Sequence, residues 1–163
     1  MHRTILGGAL AALLFATAAT AAPQADLVLV DKRAQRLYLY QGQRLLAAFP
    51  VAFGAQAQGH KQQEGDERTP EGRYLLDYKK ADSGYYKAIH ISYPNAADRA
   101  AAAARGVSPG GQVMIHGQRN GFGWAAALTQ RFNWTNGCIA LRNADMEQVW
   151  QAVAPGTPIV IRP

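Results

Sequence analysis

The chain has 163 residues, 17 Lys and Arg against 11 Asp and Glu, and a formal charge of +6. Its single Cys rules out an intramolecular disulfide, and neither zinc-finger spacing nor a basic run of five or more points to a metal-centred or nucleic-acid-binding protein. The length suits one domain with one core, and the modest basic surplus fits solubility or an anionic polymer as partner.

Residues 1–21 read as a secretory signal peptide. Arg3 supplies the positive start, residues 5–19 an almost unbroken apolar run, and Ala19-Thr20-Ala21 the small residues that precede cleavage. An uncleaved membrane anchor is the other reading, for which the apolar run is short. Export to the periplasm or another envelope location is therefore expected, with residues 22–163 forming a single domain. In that oxidising setting a lone thiol is either buried or used.

Residues 27–30 are apolar and residues 36–40 alternate, so the mature start predicts a hairpin. Residues 45–53 form a third strand, which Pro50 places at an edge or at a bulge. Residues 54–68 lack large apolar side chains and predict a long exposed loop. A Thr69-Pro70-Glu71-Gly72 turn leads to a strand over 73–78, and a further strand covers 86–93. Asn95 caps a helix over 96–105 that is rich in alanine and stopped by Gly106. A short strand over 112–115 ends at His116-Gly117. Residues 118–134 form an insertion with a helical turn near 124–130. Residues 139–142 follow Cys138, then a helix over 144–153 capped by Asn143 and a last strand over 157–162. Strands outnumber helices without βαβ alternation, so a mostly β domain with small helices is expected.

The chemistry concentrates around the thiol. Asn136-Gly137 is a tight-turn dipeptide, and Cys138 directly after it stands at the mouth of the turn. The N–H of Cys138, with that of Gly137 or Asn136, is expected to serve as oxyanion donor. A thiol needs a base, and His116 at a strand end is the candidate, although a lone histidine is more often structural. His60 is expected in solvent. His90, between Ile89 and Ile91, faces away from its apolar neighbours and is either structural or turned to substrate. Metal clusters, a serine nucleophile elbow and clustered paired carboxylates are not evident, and no cofactor is expected.

Ile115-His116-Gly117, an insertion of about twenty residues, and Thr135-Asn136-Gly137-Cys138-Ile139 together resemble the catalytic signature of the L,D-transpeptidases, the YkuD-like domain. The strand pair around residues 36–40, Phe49-Pro50-Val51 and Thr69-Pro70-Glu71-Gly72-Arg73-Tyr74 also fall where that family has similar segments. The resemblance implies a β-sandwich-like domain with the Cys in a cleft under a mobile loop. It implies that Cys138 attacks the L-centre carbonyl of diaminopimelate in a peptidoglycan stem peptide, expelling D-alanine. An amine of a second stem or of an envelope lipoprotein would then resolve the thioester. It also implies His116 as base and the Gly117 carbonyl as the group orienting it. Thr135, Trp134, Arg142 and His90 are the expected substrate contacts.

The family usually carries Arg two residues after the Cys, where this chain has Ala140. Arg142 would share a strand face with position 140 if the strand continues, and either substitutes or is an ordinary surface residue. Trp134 to Ala140 is closer to a branch that includes amidases releasing lipoprotein from peptidoglycan, so transfer and hydrolysis both stay open. A non-catalytic wall-binding module, suggested by charge and by Tyr85, Tyr86, Trp124 and Trp134, is the reading from a different class. Nothing marks oligomerisation, so a monomer is expected.

Overall fold

A computed structural model of the chain describes residues 23–163, so the proposed signal peptide lies outside the described residues. Eight strands form one sheet: β1 (Leu27–Asp31), β2 (Arg36–Gln41), β3 (Arg44–Pro50), β4 (Gly72–Lys80), β5 (Ala88–Ile91), β6 (Met114–His116), β7 (Ile139–Ala140) and β8 (Thr157–Arg162). Helices α1 (Ala96–Ala104), α2 (Ala126–Thr129) and α3 (Asn143–Ala152) are peripheral, with a 3-10 turn over Gly123–Ala125.

The sheet order is β3-β2-β1-β8-β4-β5-β6-β7. The first three strands run as an antiparallel meander, and β8 inserts parallel to β1 and antiparallel to β4. Pro50 ends β3, an outer strand of the order, and a register shift lies at Leu39/Tyr40 where β2 meets it. A proline is tolerated there because an edge position needs no second ladder partner.

Period-two patterning builds the core. Val28 and Val30, Leu37 and Leu39, Ile89 and Ile91, and Ile159 and Ile161 are all buried and belong to one cluster, which Met146 and Val149 of α3 complete. The sheet also curls onto itself. Ala52, just beyond β3, exchanges two backbone hydrogen bonds with Ala140 of β7, at 2.9 and 2.8 Å, and Thr135 donates to the Phe53 carbonyl at 3.1 Å. The β7 edge is thereby covered.

Strands β6 and β7 are parallel, pairing Ile115 with Ile139 and His116 with Ala140. Parallel neighbours need a crossover of a dozen or more residues. The insertion over 118–134 supplies it.

Helix α1 starts at the Asn95 cap as expected, with Asp98 closing a capping box. Asp98 also accepts from the Tyr74 hydroxyl at 3.0 Å and meets His60 Nε2 at 3.1 Å. Three local expectations change. His60 is a third exposed but held by the protein at both ring nitrogens, since its Nδ1 accepts from the Glu71 N–H at 2.9 Å. Residues 54–68 are coil but not an exposed loop throughout, because Gly54 and Lys61 are buried. Asn143 does not cap α3. The helix begins at Asn143 after Arg142, and the Asn143 side chain instead accepts from the Gln118 N–H at 2.8 Å.

Candidate active site

Cys138 immediately precedes β7. In the β6–β7 register it stands beside Met114, two residues short of His116. Regular strands with that offset place the two Cα atoms about 8 Å apart with both side chains on one face. Cys138, His116, Met114, Gln112, Tyr85 and Trp134 accordingly line one cleft of about 400 Å³, with Thr135 and Asn136 on its wall. A larger hollow of about 650 Å³ beside Lys32 and Glu71 contains neither the thiol nor His116.

His116 is 4% exposed. Its Nδ1 lies 2.7 Å from the Gly117 carbonyl. A carbonyl only accepts, so Nδ1 carries the proton and Nε2 keeps a free lone pair. The Tyr85 ring lies against the imidazole at 4.3 Å between centroids, and Trp134 approaches it edge-on at 5.9 Å. Burial pushes the His116 pKa down, partly opposed by the Gly117 hydrogen bond. The imidazole is thus neutral at neutral pH.

The Cys138 Sγ–H donates to the Gln112 carbonyl at 3.7 Å. Burial pushes the thiol pKa up, while a hydrogen bond from the Met114 backbone and the charge of Lys61 work against it. The resting pair is therefore a thiol and a neutral imidazole, not a thiolate and an imidazolium. Gln112 is left-handed, with φ of 55°. That conformation is uncommon outside glycine and costs energy that the surrounding structure supplies.

The turn before Cys138 is locked from inside. The Thr135 hydroxyl accepts from the Gly137 N–H at 3.1 Å and donates to the Cys138 carbonyl at 2.7 Å. Gly137 is consequently not an available donor, which leaves Asn136 of the two alternatives. The N–H groups of Asn136 and Cys138 have no acceptor among the described residues. Only Gly137 of the Asn136-Gly137 pair has positive φ, at 125°, and a Cβ on it would stand 2.7 Å from the Arg68 carbonyl. Gly117 is required for a different reason: a Cβ there would meet Asn143 Oδ1 at 2.7 Å and the Tyr86 carbonyl at 2.8 Å.

Two expected substrate contacts lie elsewhere. Strand β7 stops at Ala140, so the premise that Arg142 shares its face fails. Arg142 pairs with Asp145 at 2.7 Å, with a side chain 52% exposed. His90 stacks on Tyr78 at 4.5 Å between centroids and meets Asp77 at 2.7 Å, and it is not among the cleft residues. Gln112 and Met114, just before His116, also line the cleft, and their residue types in an apolar strand carry no signal of it. Tyr85, an aromatic expected at most to bind wall material, packs on His116 instead. Among the described residues, no group of three or more His, Cys, Asp and Glu is placed to hold a metal ion.

Residues 25–161 match the model of YkuD, the L,D-transpeptidase catalytic domain. The chain belongs to this family. A YkuD domain here is 33% identical over 127 residues to YafK of Escherichia coli (strain K12), itself only provisionally named an L,D-transpeptidase, covering 76% of this chain and 44% of that protein. It is also similar to the crystal structure of the helical cell shape determining protein Pgp2 from Campylobacter jejuni. That match has a TM-score of 0.65 and 29% identity, covering 86% of this chain and 48% of that one. An L,D-transpeptidase from Mycobacterium smegmatis shares the fold, with a TM-score of 0.57 and 16% identity over 85% of this chain and 59% of that one. The chain spans about half the length of the curated relatives it matches, at 44%. Among the described residues, no helix is long and apolar enough to cross a membrane.

Proposed function

We propose that this YkuD domain is an exported cysteine acyltransferase acting on peptidoglycan stem peptides, with Cys138 as nucleophile and His116 as general base and acid. The observation that carries the reading is the His116 tautomer. The Gly117 carbonyl holds the proton on Nδ1, so the bare Nε2 belongs to a residue of the same cleft as the chain's only thiol.

In the proposed reaction, Nε2 takes the Sγ proton as sulfur attacks the carbonyl carbon at the L-centre of diaminopimelate. The N–H groups of Asn136 and Cys138 receive the oxyanion. The C–N bond to D-alanine breaks, and His116 returns the proton to the departing amine. An amine of a second stem or of an envelope lipoprotein then attacks the thioester, loses a proton to His116 and restores the thiol. Water in place of the amine gives hydrolysis, the amidase reading that the sequence from Trp134 to Ala140 supports. Pgp2 is designated a cell-shape-determining protein, and we extend that to this chain as a role in wall remodelling. The reading of residues 1–21 as a signal peptide supports an envelope location for the domain, residues 22–163.

The test is incubation with purified muropeptides, with and without an acceptor stem, followed by mass spectrometry. New cross-links identify transfer, and freed termini alone identify hydrolysis. Cys138→Ala is expected to lose turnover and any covalent carbapenem adduct, and His116→Gln to lose about 10²–10⁴-fold in rate. Full turnover by Cys138→Ala sinks the reading, and a wild-type protein that binds wall material without turnover or adduct leaves the binding-module alternative.

A further inference from the structure

On the far side of the Asn136-Gly137 turn lies a second hollow of about 390 Å³, lined by Lys61, Glu64, Glu67, Gly110 and Asn136 among others. Asn136 belongs to both this hollow and the Cys138 cleft. Lys61 is 4% exposed, a rare condition for an ammonium group unless something compensates its burial.

The compensation is built from the loop itself. Lys61 Nζ donates to Asp66 Oδ1 at 2.7 Å and to the Gln63 carbonyl at 3.1 Å. Asp66 also accepts from the N–H groups of Gln62 at 2.7 Å, Gln63 at 3.1 Å and Arg68 at 3.1 Å. Residues 61–68 are thus wound around one carboxylate. The rim of this loop bears on the turn before the thiol, with the Arg68 carbonyl 2.7 Å and Lys61 Nζ 3.8 Å from the place where a Gly137 Cβ would stand. An ion pair is not needed merely to hold a loop, since well-packed apolar residues usually do so at least as well. What the lysine adds is an ammonium, paired with Asp66, that lies against Gly137, the residue preceding Cys138. The position where the family usually has its Arg is here Ala140, fully buried.

We propose that Lys61, held in place by Asp66, is a positioning residue whose ammonium favours negative charge on Cys138 Sγ as it attacks. The proposal rests on the reading of Cys138 as nucleophile. The other titratable groups around the thiol are His116, Tyr85 and Lys80 in the cleft. Around Lys61 they are Asp66, Glu64 and Glu67.

The pH profile of Cys138 alkylation by iodoacetamide, followed by intact mass on the full chain, tests this, with a thermal melt of each variant to confirm folding. Lys61→Met is expected to raise the apparent thiol pKa by about one unit, a tenfold loss of thiolate at a fixed lower pH. Asp66→Asn is expected to lower it, because the ammonium is then unopposed, and Lys61→Arg to stay near wild type. A purely structural loop would shift the Met and Asn variants in the same direction or not at all, and either result overturns the proposal. If Lys61→Met does not fold, Lys61→Gln, which can still bond to Asp66, takes its place with the same expected sign. Turnover of muropeptides by Cys138→Ala would overturn the nucleophile assignment instead, while the alkylation profile would still report on Lys61.

Discussion

His116 donates from Nδ1 to the carbonyl of its own neighbour, Gly117, at 2.7 Å. The imidazole is held in that orientation, and so in one tautomer, by burial between Tyr85 and Trp134. Burial then lowers its pKa. An imidazole so placed is unprotonated at neutral pH.

The pH dependence follows from the two directions of shift. His116 lies below 6.5 and Cys138 above 9.0. Acylation through a neutral pair is active once the imidazole is deprotonated, so the acylation rate should rise through a midpoint below pH 6.5 and stay level across neutrality. Alkylation by iodoacetamide requires the thiolate itself and should still be climbing at pH 9. An alkylation rate already saturated at pH 6 would reveal a thiolate–imidazolium pair and contradict this assignment.

Thr135→Val removes the hydroxyl that joins the Gly137 N–H to the Cys138 carbonyl and strands both groups in a largely dry turn. A loss of about 1–3 kcal/mol in urea-unfolding stability is expected, together with a fall in acylation rate. Thr135→Ser keeps the hydroxyl and should recover most of both. Equal behaviour of the two variants would mean the hydroxyl does not hold the turn.

Gly137→Ala should be costly for two independent reasons, the positive φ and the Arg68 carbonyl that blocks a Cβ. About 1–3 kcal/mol of strain is expected, with the turn and therefore Cys138 displaced. Gly65→Ala offers the comparison, since Gly65 also has positive φ but no atom within 4 Å of an added Cβ. A thermal melt of each variant should show the greater loss at Gly137.

Arg142→Ala should change stability by no more than about 1 kcal/mol, the usual scale for a half-exposed ion pair, and leave KM for stem peptides unaltered. His90→Ala should likewise spare KM, since its stacking and hydrogen bond are made with Tyr78 and Asp77. A KM rise in either variant, in steady-state assays on a defined stem peptide, would return that residue to the substrate site.

An apolar run made β1 legible and alternation made β2 legible, because a strand with one buried face imprints period two on its own sequence. Asn95 announced α1 through its side chain, and the spacing from His116-Gly117 to Gly137-Cys138 marked the pair by resemblance to a family. Those features are local or arranged in chain order. They can be read without knowing what lies across the sheet.

Long-range packing decided the rest. Gly137 and Asn136 are equivalent as donors on paper, and only the folded turn shows that Thr135 occupies the first. Arg142 was a reasonable stand-in for the Arg absent at Ala140 until β7 ended after two residues. Lys61 sits in a polar stretch that reads as solvated loop, yet it is buried behind the thiol's turn because Asp66, five residues on, meets its charge. Polar residues carry no periodic signature of burial. Whether such a group faces water or a compensating partner depends on distances that only the tertiary structure sets.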